Sequence, residues 1–200
     1  MSLFDPGFCS KEELRQAGFR SIGTNVQIDR GCTIIGMENI SIGDNVRIDG
    51  FCTLIANGGW LDIGSYVHIA AHVHMIASGG ITVGDFVGIS HGSKVYSRSD
   101  DFSGGYLNGP TVPSEFTNTI DATVSFGRHA VIGSNTVVMP GVEISEGAAV
   151  GAQSLVIRDL AAWSVYVGCP AKKLKDRPRD LLKHEESMRK RGLYARKSDD

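Results

Sequence analysis

The sequence has no apolar run of membrane length, and its first residues lack the basic-then-apolar form of a secretion leader. A cytoplasmic protein with no membrane partner is therefore expected. Basic charge is not in excess. The net charge is −2, which gives no reason to expect a nucleic-acid partner. Proline is scarce, 6 residues beside 25 glycines, and that ratio suits turns in a repeat better than a Pro-rich disordered chain. The four cysteines, Cys9, Cys32, Cys52 and Cys169, show no Cys-x-x-Cys spacing. Cys32 and Cys52 are read as buried thiols packing as small hydrophobes, not as a disulfide or a metal pair. Also missing from most of the chain are the 3.6-residue period of a helix and the simple alternation of a strand.

What replaces them is a period of six. Large apolar residues recur at Phe126, Ile132, Val138, Ile144, Val150 and Val156, with smaller ones four later at Ala130, Thr136, Val142, Ala148 and Ser154. Glycine commonly follows the large residue, as at Gly127, Gly133 and Gly151, which is read as tolerance for backbone conformations that a Cβ would oppose. The same pattern runs through Ile22, Ile28 and Ile34, then Ile42, Ile48 and Leu54, then Ile63, Ile69 and Met75, then Val83, Ile89 and Val95. Three hexapeptides make one triangular coil, and hexapeptide repeats imply a β-helix. The expected fold is all-β, a left-handed parallel β-helix over residues 22–160 within one domain, 1–200. On the third side Ile35, Ile55, Ile76, Met139 and Ile157 stand where the other sides place small residues. Such a row can pack on another subunit.

Ser10-Lys-Glu-Glu13 is a capping box, so a short helix is expected from Lys11 to about Ala17, ending at Gly18 and closing the end of the β-helix. The period fails over about 97–122, which must leave the coil as a loop. A long loop on a regular scaffold is usually functional, and Tyr106, Leu107, Val112 and Phe116 give it something to bury. After Leu160 an irregular exit and a basic turn are expected. A terminal amphipathic helix follows from Arg179 to about Lys190, then ten frayed residues.

These coils, the loop, and the run from Ile132-Gly-Ser-Asn-Thr-Val to Gly168-Cys-Pro-Ala-Lys-Lys-Leu174 resemble the hexapeptide-repeat acyltransferases over residues 10–176. Glu12-Glu-Leu-Arg-Gln-Ala-Gly-Phe19 and Tyr96-x-x-x-Asp-Asp-Phe-Ser-Gly104 most resemble the N-acyltransferases of nucleotide-linked amino sugars, of the anthrose-pathway type. The resemblance implies a cytoplasmic homotrimer with active sites at subunit boundaries, and acyl-CoA as co-substrate with no metal. The acceptor it implies is the amine of a nucleotide-linked sugar such as a dTDP-4-amino-4,6-dideoxyhexose, made for surface polysaccharide. By position it assigns Ser134, Ala152, Arg158, Lys172 and Lys175 to coenzyme A. Pantetheine can pair with an exposed coil edge, and lysine serves phosphate as a point charge. For Lys172, Lys173 and Lys175 the plain alternative is a solvated exit. Trp163 either stacks on adenine or plugs the last coil.

The sequence departs from the family at one point. Many hexapeptide O-acetyltransferases carry a basic histidine at the start of the protruding loop, where this chain has Ser97-Arg-Ser-Asp-Asp101. The catalytic candidates are then Asp100, Ser90 and His91. His91 is alternatively a surface residue over Ala71, and Ser90 and Asp100 are alternatively turn residues. Three rival readings keep the fold: a sugar O-acetyltransferase with a His base, a zinc carbonic anhydrase of the β-helix class using His68, His72, His74 and His91, and a non-catalytic trimeric scaffold.

Overall fold

The computed structural model describes residues 6–195. Three parallel sheets form the sides of a triangular coil. The first side stacks Ser21–Ile22, Ile40–Ile42, Leu61–Ile63, Ile81–Val83, Val124–Phe126 and Glu143–Ile144. The second stacks Gln27–Ile28, Arg47–Ile48, His68–Ile69, Gly88–Ile89, Val131–Ile132, Ala149–Val150 and Ser164–Val167. The third stacks Thr33–Ile35, Thr53–Ile55, His74–Ile76, Lys94–Tyr96, Val137–Val138 and Leu155–Val156. The large residue of each hexapeptide lies directly over its counterpart: Ile42 pairs with Ile63, Ile48 with Ile69, Leu54 with Met75. These residues fill the narrow interior, and burying each contributes about 1.5–3 kcal/mol. Cys52 is buried among them, and Cys32, half-buried near the N-terminal end, packs against the same core. All four thiols are free.

The glycines after the large residues have a different cause from the one expected. Gly23, Gly43, Gly84 and Gly133 keep ordinary negative-φ or extended backbone, but a Cβ there would lie 2.5–2.9 Å from the backbone of the next coil. The positive-φ corners are taken by other residues. At one corner Tyr66, Phe86 and His129 are all near φ +60°. Their rings stack, Tyr66 on Phe86 at 5.1 Å and Phe86 on His129 at 5.0 Å, and these contacts offset the strain of that backbone.

Helix α1, Lys11–Gln16, carries the capping box: Ser10 Oγ accepts from Glu13 N–H, and Glu13 Oε2 accepts from Ser10 N–H at 2.7 Å. Its Leu14 is buried against the N-terminal end of the coil. The exit is regular, not irregular. Ser164–Val167 adds a further rung to the second side, and Lys172–Asp176 folds back antiparallel on it. Helix α2 is Leu181–Lys190, two residues shorter at its start than expected. Its buried residue is Glu185, not a leucine. Of the residues expected to fray, 191–195 include Tyr194, which is buried and donates to Asp85 Oδ2 at 2.6 Å. Residues 196–200 lie outside those described.

Candidate active site

The second and third sides meet at a corner where the rungs are in strict register. Gly92 N–H donates to Ala71 O, Asn135 N–H to His91 O, and Gln153 N–H to Ser134 O. His91 therefore stands over Ala71, Ser134 over His91, and Ala152 over Ser134, at about 4.8 Å per rung. Ser90 precedes this column, half-buried, with its N–H on Ile132 O at 2.9 Å. Thus two catalytic candidates, Ser90 and His91, share one edge with two coenzyme candidates, Ser134 and Ala152. His91 and Ala152 are exposed.

Asp100 is elsewhere. The loop leaves the coil at the next corner, between the third and first sides, on an antiparallel stem of Arg98–Asp100 and Thr119–Asp121. Arg98 closes the stem with two parallel bonds to Asp121, both 2.6 Å. That pairing holds the Asp121 carboxyl below the usual range and raises the Arg98 guanidinium. Within one chain the third side separates exposed Asp100 from Ser90 and His91. Beyond the stem, Asp101 forms a turn by accepting from Ser103 N–H at 2.6 Å, which holds its carboxyl below the usual range. The loop's apolar side chains are not buried as expected. Tyr106, Leu107 and Phe116 are 52%, 60% and 54% exposed, and Val112 is only half-buried. The stem carries the loop off the coil, so no sheet face of the same chain lies beneath them.

At the C-terminal end, Val156, Ile157, Arg158, Leu160, Pro170, Ala171 and Lys172 line a cavity of about 270 Å³. Two basic coenzyme candidates, Arg158 and Lys172, therefore share one pocket with an apolar floor. Lys175 sits further along the antiparallel strand, opposite Val165, and Lys173 pairs with Asp176 at 2.7 Å. Trp163 is 7% exposed, packs over Gly147, and has Arg179 above its ring at 5.3 Å. It plugs the coil and is not available to adenine.

The histidines of the zinc reading do not converge within one chain. His68 is bonded to Asp49 at 2.7 Å, His72 stacks on Phe51 at 5.1 Å, and His74 lies on the third side near Tyr96. Among the described residues no group of three or more His, Cys, Asp or Glu is placed to hold a metal ion. Two groupings escaped the sequence reading. One is the Arg98–Asp121 pair. The other is Glu185 of α2, bonded to Arg128 and, at 2.7 Å, to His129. Their partners lie 23, 57 and 56 positions apart, and no spacing motif spans them.

A β-helix of hexapeptide coils, with a loop on one corner and a basic hairpin closing its end, defines the hexapeptide-repeat acyltransferase class. No protein-family model matches the chain. It is 44% identical over 173 residues to a dTDP-4-amino-4,6-dideoxy-D-glucose acyltransferase of Escherichia coli, covering 86% of this chain and 90% of that one. Its structure resembles AntD, an N-acyltransferase from Bacillus cereus solved with dTDP and 3-hydroxybutyryl-CoA: the TM-score is 0.90 and the identity 42%, over 94% of this chain and 99% of that one. A hexapeptide-repeat acetyltransferase from Vibrio cholerae, with a TM-score of 0.57 at 20% identity over 84% of this chain and 76% of that one, shares the fold alone. The chain belongs to the dTDP-4-amino-4,6-dideoxyglucose acyltransferase family.

Proposed function

We propose that this enzyme transfers an acyl group from acyl-CoA to the amine of a dTDP-linked 4-amino-4,6-dideoxy sugar. The observation that carries this reading is the likeness to AntD along nearly its whole chain, since that protein was solved with dTDP and an acyl-CoA together. AntD was also solved with dTDP-4-amino-4,6-dideoxyglucose and coenzyme A in serine variants, and with dTDP and coenzyme A in aspartate variants. The substituted serine and aspartate lie ten positions apart there, as Ser90 and Asp100 do here.

The amine nitrogen attacks the thioester carbonyl, the C–S bond breaks, and the sulfur leaves as thiolate. A sugar amine whose carbon is flanked by electron-withdrawing oxygen substituents resembles an α-amino group, with a pKa of about 8. A useful fraction is neutral near neutral pH and carries its own lone pair, so no histidine is needed to activate it. Alignment then supplies much of the rate, roughly 7–11 kcal/mol in favourable cases. In this reading Ser90 orients the acceptor. Asp100 binds the ammonium form and accepts the proton lost after attack. Arg158 and Lys172 hold coenzyme phosphates beside their pocket, Ser134 and Ala152 border the pantetheine, and Lys175 adds long-range charge.

The assembly is a homotrimer with sites at the subunit boundaries. Two features support it: the outward row Ile35, Ile55, Ile76, Met139 and Ile157, with Ile35 and Ile157 exposed, and the bare apolar loop. Among the described residues no helix is long and apolar enough to cross a membrane. We place the reaction in the cytoplasm, supplying acylated sugar to surface polysaccharide. The test is an acylation assay on paired 4-amino and 4-hydroxy dTDP-sugars. Turnover of the amine alone is expected, and efficient O-acylation abolished in His91→Asn would restore the histidine-base reading.

A further inference from the structure

We infer that the Arg98–Asp121 ion pair is the positioning device for Asp100, fixing the loop stem so that the Asp100 carboxylate meets the acceptor amine. This rests on the role given to Asp100 above. The Asp100 side chain has no hydrogen-bond partner of its own among the described residues, so the stem sets its place. Arg98 and Asp100 are two apart on one short strand and lie on the same face of the stem. Asp121 is the cross-strand partner of Arg98, and Thr119 that of Asp100.

The base of the stem is pinned into the coil. Ser97 is fully buried, its Oγ accepting from Gly79 N–H at 2.8 Å and donating to Ile76 O at 2.9 Å. Ala122 N–H donates to Ser97 O at 2.9 Å. Only three residue pairs separate that anchor from the loop, and Asp100 belongs to the last of them. The ion pair is the one charged contact across them, with side chains 42% and 39% exposed. A pair so open to water contributes little to folding stability. Its two-bond fork instead fixes orientation, because a planar guanidinium on a carboxylate permits one relative geometry. A misplacement of about 1 Å at a reacting group costs on the order of 10²-fold in rate.

The experiment is a double-mutant cycle on the full chain, with acetyl-CoA or 3-hydroxybutyryl-CoA and dTDP-4-amino-4,6-dideoxyglucose as substrates. Arg98→Lys and Asp121→Asn are expected to lower kcat by about 10- to 100-fold with the KM for acyl-CoA within about twofold of the parent. In the Asp100→Asn background, Asp121→Asn is expected to cost nothing more, because both changes disable the same group. The exchange Arg98→Asp with Asp121→Arg should recover part of the lost kcat. An inactive Asp100→Asn with fully active Arg98→Lys and Asp121→Asn overturns the positioning role alone. An Asp100→Asn that keeps parental kcat overturns the reading of Asp100 itself. If the charge exchange restores the melting temperature but not kcat, or the losses multiply in the double variant, the pair serves folding and the inference fails.

Discussion

Replacing Glu185 by alanine should release helix α2 from the coil. The carboxylate is 9% exposed and bonded to His129 and Arg128, whose side chains are 6% and 17% exposed. Removing one partner of a buried ion pair costs about 3–5 kcal/mol, because the other charge is left unpaired. Arg128 retains Glu146 at 3.7 Å, but that carboxylate is 44% exposed and a weak substitute. The expected loss is therefore near the low end, about 3 kcal/mol. For a chain of this size that is a fall in Tm of roughly 6–12 °C. The pH dependence has a definite sign. Burial pushes the Glu185 carboxyl upward, but hydrogen bonds from His129 and Arg128 and their charges outweigh it, leaving it below the usual carboxylate range. A carboxyl lowered on folding stabilises above its unfolded pKa, about 4.3, and loses that contribution as pH falls through the folded value. Glu185→Gln should thus flatten the acid side of the stability curve below about pH 4.3. The assays are thermal melts from neutral to acid pH, with hydrogen exchange across Leu181–Lys190. A Glu185→Ala protein that melts with the parent and exchanges its helix amides no faster would refute the reasoning.

Lys172→Glu should raise the KM for acyl-CoA more than it lowers kcat, since phosphate contacts far from the thioester bind ground and transition states alike. Lys175→Glu should act in the same direction but less, being outside the Arg158–Lys172 pocket. Steady-state kinetics with loss of kcat at fixed KM would remove either lysine from the coenzyme site. Ser90→Ala, His91→Asn and Asp100→Asn should each keep measurable turnover, with Asp100→Asn the most impaired; complete loss in His91→Asn would contradict an unassisted amine. Light scattering at micromolar concentration should give a trimer mass for the parent. Leu107→Asp with Phe116→Asp should weaken that assembly, because both side chains lie bare on the loop.

The coil was legible because its period is covalent. Every sixth residue must face one axis, so Phe126 and Ile144 could be aligned by counting alone, and Ile42, Ile63 and Val83 by the return of the same triplet, and the register in the structure agrees. The capping box was legible for the same reason, with donor and acceptor three residues apart. The reason for the glycines was not. Sequence suggests freedom of φ, whereas the backbone approach that excludes a Cβ at Gly133 exists only once Gly151 and Ala152 stack above it. The last rung was hidden because Ser164–Val167 breaks the six-residue spacing that announces the others. At the site, His91, Ser134 and Ala152 came into one column, with Ser90 just before it, because the period places them there. Arg98–Asp121 and the Glu185 cluster did not, since a chain reversal and a packed helix make those contacts.

The separation of Asp100 from Ser90 makes a sharper demand than mass on the assembly. Gly92 to Ser97 is five steps of nearly extended chain, roughly 16 Å at about 3.3 Å per residue. An amine that meets both Ser90 and Asp100 cannot readily do so from one chain, because the third side stands between them. It can do so where the Ser90 corner of one subunit faces the loop stem of another. Each site then takes its serine from one chain and its aspartate from the next. Mixing Ser90→Ala with Asp100→Asn chains by unfolding and refolding at equal amounts should rebuild intact sites. In randomly mixed rings, roughly one site in four receives the parental residue from both neighbours. Turnover of the mixture should therefore exceed the mean of the two variants and approach about a quarter of the parent. The control is the same mixture without refolding, which should show only the mean. A refolded mixture that also shows only the mean would mean that both residues act in one subunit, and the interfacial site would be lost with it.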